Sequence, residues 1–211
     1  MTASQQGNRD LADHLHRRLE YLRACTIHIE NKLRQEKMDL RQKIHDGVYS
    51  KNDPAIGQMV FHIEYVVGHT FRYCMLVAVC SFVEEAMKAI GTRRLPDYEA
   101  RIKAGKQRNW LRRHIRVLRD GVGLDTAPIK SHLGKFYDII TLRNCIVHAW
   151  GKLAKTRNPQ TVKAAIKRLE GADVSTDGYL LLHDEVVSEA IETAEDIVET
   201  ILQSTLHVSM T

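Results

Sequence analysis

Leu142-Arg143-Asn144-Cys145-Ile146-Val147-His148-Ala149-Trp150-Gly151 sets an arginine, an amide and a histidine inside an otherwise apolar run. Taking a guanidinium out of water costs on the order of several kcal/mol unless a partner meets it. The stretch reads as the last turns of a helix that begins near Pro128, with Gly151 just past its end. A helix turns by about 100° per residue, so Arg143 and His148 diverge by roughly 140°. Asn144 and His148 are four apart and share a face, which places Asn144 to orient the imidazole. Two routes would bring Arg143 to the same target. The helix loosens near Gly151, or a second subunit supplies the missing group. A two-fold dimer built on this helix would set two arginines and two histidines around one groove.

Upstream, Ala55 to Ile90 reads as a long helix that is apolar around most of its second half, the expected core helix, with Gly91 as its stop. Its most hydrophobic part, Val60 to Val83, holds His62, Glu64, His69 and Arg72, which argues against a membrane span. A further helical stripe, Trp110, Leu111, Ile115 and Leu118, ends at Gly121-Val122-Gly123. Downstream come a short basic helix from Pro159 to Leu169 and a β-hairpin signalled by Asp177-Gly178 between short apolar runs. A closing helix runs from Asp184 to Leu206. At the other end, Leu11, Leu15, Leu19, Leu22, Ile29, Leu33, Leu40 and Ile44 form the narrow seam of one long helix, suited to a partner helix or a second copy. The expected organisation is all-α: an N-terminal helical extension over 1–50 and a helical domain over 51–211, with a small hairpin before the last helix.

The Arg143-x4-His148 spacing, with Asn144 directly after the arginine, resembles the signature of the HEPN domains. Leu142, Ile146, Val147 and the trailing Ala149-Trp150-Gly151 look like that family's motif helix, and Ser81-Phe82-Val83-Glu84-Glu85 like its preceding core helix. The hairpin and closing helix also recur there, so the likeness extends over residues 55 to 206 and leaves the first helix outside the common core. The resemblance implies a HEPN-like helical bundle, a homodimer and a metal-independent ribonuclease site of Arg143, Asn144 and His148 from both subunits. Some members are toxins, some act in defence, and some are not catalytic.

The residue types suit that chemistry. RNA carries its own nucleophile, the 2′-OH. The enzyme adds a group that titrates near neutrality, a histidine, and positive charge at the phosphate, an arginine fork. Arg143 would stabilise the phosphate. His148 would transfer a proton or hold the leaving or attacking oxygen. A 2′,3′-cyclic phosphate and a 5′-OH are the expected products. No cofactor or metal is expected. The alternative is a non-catalytic helical dimer that binds RNA or a protein partner, with Arg143 paired to a local carboxylate and His148 capping the last turn.

Charge is distributed unevenly along the 211 residues, whose net charge of +5 is modest. Thr92 to Arg119 holds ten Lys/Arg against Asp97 and Glu99. It is therefore the expected RNA-backbone surface, represented by Arg108, Arg112, Arg113 and Arg116. Trp110 either stacks on a base or joins the core. The closing helix carries seven acids and no Lys or Arg before Leu206, so it is expected to face solvent or a basic partner, away from RNA. The four cysteines are scattered, the eleven histidines form no ligand motif, and Met1 to Asp10 lacks an apolar leader core. The expected protein is cytoplasmic, and its expected partners are RNA, a second copy, and a cognate antitoxin or regulatory protein.

Overall fold

The computed structural model describes residues 3–50, 52–107 and 109–206. Helix takes up 78% of the described residues, which settles the all-α class, and the expected two-stranded hairpin precedes the last helix.

Helix α1 (Ala3–His45) follows the leucine seam. At about 1.5 Å per residue it is roughly 65 Å long. Expected as an extension, it contributes Leu11, Leu15 and Leu19 to the main core, where its first half packs on the last helix. Farther along, Leu33 and Leu40 are buried. Helix α2 (Pro54–Phe61) starts where the Asp53 carboxylate accepts from the Ala55 amide at 2.9 Å, with Pro54 at the first helical position.

The chain then continues without a break through a π-helical segment, His62–Gly68, into α3 (His69–Arg94). By length and composition this Pro54–Arg94 rod could cross a membrane. Its second half is the core helix, with Leu76, Val79, Val83 and Met87 fully covered. Gly91 is not its stop. The Tyr98 ring packs where a Cβ would sit, 2.2 Å away, so glycine here permits a close approach. The helix ends at Leu95, held extended by the following Pro96.

Helices α4 (Tyr98–Ala104) and α5 (Trp110–Val122) follow. The Asn109 side chain caps α5 by accepting from the Arg112 amide at 3.1 Å, and left-handed Gly123 ends it. Trp110 packs edge-on against Phe136 at the margin of the core. Helix α6 (Lys130–Ala149) carries the motif. A single 3₁₀ turn, Leu153–Lys155, leads into α7 (Pro159–Ile166). Strands β1 (Ala172–Val174) and β2 (Leu180–Leu182) pair antiparallel, Ala172 opposite Leu182.

Helix α8 (Asp184–Leu206) lies between α1, α3 and α6. The basic partner expected for its acids comes from the chain itself. Arg23 and Arg34 of α1 and Lys135 and His132 of α6 meet Glu195, Asp184, Glu189 and Asp196.

Candidate functional site

The motif helix keeps regular geometry through Ala149, so a loosened end does not bring Arg143 and His148 together. His148 and Asn144 are exposed on its outer side, whereas Arg143 is half-buried. Its guanidinium lies near Cys80 of α3. Burial pushes the Cys80 thiol up to about 12, and the Arg143 charge opposes that rise. The Nη1 of Arg143 donates to the Asn144 Oδ1 at 3.1 Å, and its Nε is buried without a partner among the described residues. No ion pair among the described residues involves it, so the local carboxylate of the structural alternative is not found.

Asn144 therefore orients the arginine. The expected hydrogen bond from Asn144 to His148 is not formed. The Asn144 Oδ1 serves the guanidinium instead, an ionised donor that makes a stronger hydrogen bond than a neutral one.

Beyond Ala149 the backbone turns left-handed twice, at Trp150 (φ 53°) and Gly151 (φ 76°). A side chain at Gly151 would meet the Tyr73 hydroxyl, which itself donates to the Leu180 carbonyl. The Leu180 amide in turn donates to the Gly151 carbonyl at 2.8 Å, and the Leu153 amide to the Gly178 carbonyl at 3.0 Å. The hairpin is thus stitched to the chain just after the motif.

This turn leaves Trp150 83% exposed, at the rim of a groove of about 840 Å³. Phe61, Tyr65, His69, Tyr73 and Tyr179 also line that groove. The Phe61 and Tyr65 rings stack at 5.3 Å, and Tyr65 and His69 are again 5.3 Å apart. The His69 Nδ1 accepts from the Leu182 amide at 3.3 Å. Burial, and then the nearby Arg72 charge, hold its pKa below the ordinary imidazole value. Phe61, Tyr65 and His69 recur every four residues, a spacing that was legible in the sequence as rings on one helix face.

The basic segment is less uniform than its composition implies. Arg112 lies over the Tyr137 ring at 4.8 Å. Arg113 donates to the Gln107 carbonyl and so braces the loop before α5. Arg116 pairs with Asp120 on the surface. Arg108 lies outside the described residues. His16, Glu20 and Glu195 offer ligand atoms within 4.8 Å of one another, but both carboxylates already hold Arg23, which a cation would have to displace.

Compared with known proteins, the chain matches no family model, no curated protein and no solved structure.

Proposed function

We propose that this chain is a HEPN-type, metal-independent endoribonuclease that works as a homodimer. The observation that carries the reading is Arg143: a half-buried guanidinium with an unpartnered Nε and no carboxylate, fixed by Asn144 two turns before the end of its helix. A cation held without a counter-charge in this way is suited to an anion that arrives from outside, and a phosphodiester is one.

In the proposed reaction the substrate 2′-O attacks phosphorus and the P–O5′ bond breaks. Arg143 offsets the charge that builds on the phosphoryl oxygens. His148, exposed on the last turn, takes the 2′-OH proton or protonates the leaving 5′-oxygen. Arg143 and His148 point apart on a regular helix, so one protomer would supply the arginine and its partner the histidine. The exposed Met59, Val60, Val66, Val67 and Val147 offer apolar surface for that second copy. A toxin or defence effector restrained by an antitoxin or regulatory protein is the biological role that fits.

The rival, a non-catalytic dimer that binds RNA or protein, draws on the same exposed apolar residues. Incubation of the purified protein with total RNA in EDTA separates the two. The expected result is cleavage that leaves 2′,3′-cyclic phosphate and 5′-OH ends. Intact RNA, or cleavage that stops with chelation, would overturn the ribonuclease reading.

A further inference from the structure

The groove beside Trp150 has no part in the cleavage chemistry above. We propose that it is a nucleobase subsite, in which one or two unpaired bases of single-stranded RNA stack on the Phe61–Tyr65 ladder and against Trp150. The assignment of RNA as occupant rests on the ribonuclease reading, and the groove itself stands on four separate observations.

Its volume, about 840 Å³, lies within the range of roughly 300–1,000 Å³ common for small-ligand sites. Its walls are rings from three distant parts of the chain. Phe61 and Tyr65 come from the rod before α3, Trp150 from the end of the motif helix and Tyr179 from the hairpin loop, and all four are exposed. A core has no use for exposed rings, whereas the π-face of any base stacks on them.

The backbone around the groove is also unusual. Trp150 is the one non-glycine residue at positive φ among the described residues. A bulky side chain rarely adopts that conformation, and strain of this kind gathers at ligand sites. The wall that carries Tyr65 is a seven-residue π-helical segment, an arrangement usually confined to single turns and frequent at functional sites.

Six rings line the groove beside three aliphatic side chains, Val174, Leu180 and Leu181, and one acid, Asp177. The Lys152 ammonium lies over the Tyr179 ring, one of those that line the groove, at 5.2 Å. A ring that carries a cation suits a base and its phosphate. Rings outnumber aliphatic side chains in this lining, which favours a flat base over an aliphatic protein segment. Trp150 follows His148 by two residues, so a base seated here brings its neighbouring phosphodiester to the end of α6.

The test uses the full chain with Trp110→Phe, which leaves Trp150 as the only tryptophan, and His148→Ala, which prevents cutting. The probes are a ten-nucleotide oligoadenylate and an abasic strand with the same number of phosphates. The oligoadenylate should quench Trp150 and bind about ten-fold or more tighter than the abasic strand. Phe61→Ala and Tyr65→Ala should each reduce that preference with helical circular dichroism unchanged. If Trp110→Phe disturbs folding, filter binding of His148→Ala with and without Trp150→Ala reads the same preference. Equal binding of the two strands overturns the subsite. So does Trp150 emission that shifts to the blue with protein concentration in the absence of RNA, since a second copy then covers the groove. Wild-type cleavage is scored separately. A base preference without any cleavage keeps the subsite and sinks the ribonuclease, and cleavage without a base preference does the reverse.

Discussion

Arg72 and Arg143 sit on neighbouring core helices, α3 and α6, and differ in what they meet. The Nε and Nη2 of Arg72 donate to the two oxygens of Glu30, each at 2.7 Å, and its Nη1 donates to the Leu182 carbonyl at 3.1 Å. One side chain thereby ties α1, α3 and the hairpin together. Burial pulls its pKa down, and the paired Glu30 carboxylate more than restores it. Arg143 meets one amide oxygen and no acid, and its Nε is empty. Arg72 meets its counter-charge within the chain. Arg143 has none among the described residues, and in the function proposed above a phosphodiester supplies it.

The largest effect should come from breaking the satisfied pair. Glu30→Ala leaves the Arg72 guanidinium buried and unmatched, a loss of about 3–5 kcal/mol. For a chain of this size the melting temperature should fall by roughly 6–20 °C, read by circular dichroism. A fall under about 1 kcal/mol would show that water takes over the role of Glu30.

Arg143→Ala should behave in the opposite way. Stability should stay within about 1 kcal/mol of wild type, because no buried acid is orphaned. RNA cleavage should drop about 100-fold or more, and His148→Ala should act alike. If Arg143→Ala melts as low as Glu30→Ala and the wild type never cuts RNA, the contrast between the two arginines collapses.

The smallest effect concerns a third kind of arginine, the surface one. Arg112→Glu with Arg116→Glu should leave the fold intact and lower the salt slope of RNA binding by about 1–2. Arg113 is left out because it braces the Gln107 carbonyl, and its replacement would confuse folding with binding. An unchanged slope would mean that RNA does not cross α5.

Features set by near neighbours could be read ahead of the structure. Asp177-Gly178 announced the hairpin, and Gly178 indeed takes positive φ. The end of the motif helix at Gly151 and the apolar second half of the long rod were equally plain. Gly91 was misread as a terminator because its purpose, space for Tyr98, lies seven residues away on another helix. Asn144 was assigned to His148 by helical spacing, which says nothing of a guanidinium that packing turns inward and leaves in need of an acceptor.

The sequence by itself determined the all-α class, the hairpin, the ends of most helices, and the presence of an arginine and a histidine on diverging faces of one helix. These follow from periodicity and turn chemistry, which act over a few residues. Only the tertiary structure decided that the first half of α1 belongs to the core and that Arg72 finds its acid 42 positions back, at Glu30. It also decided that Phe61, Tyr65, Trp150 and Tyr179 meet in one groove. Such pairings depend on how long helices stack and on which charges that stacking strips of water, and no local pattern encodes either.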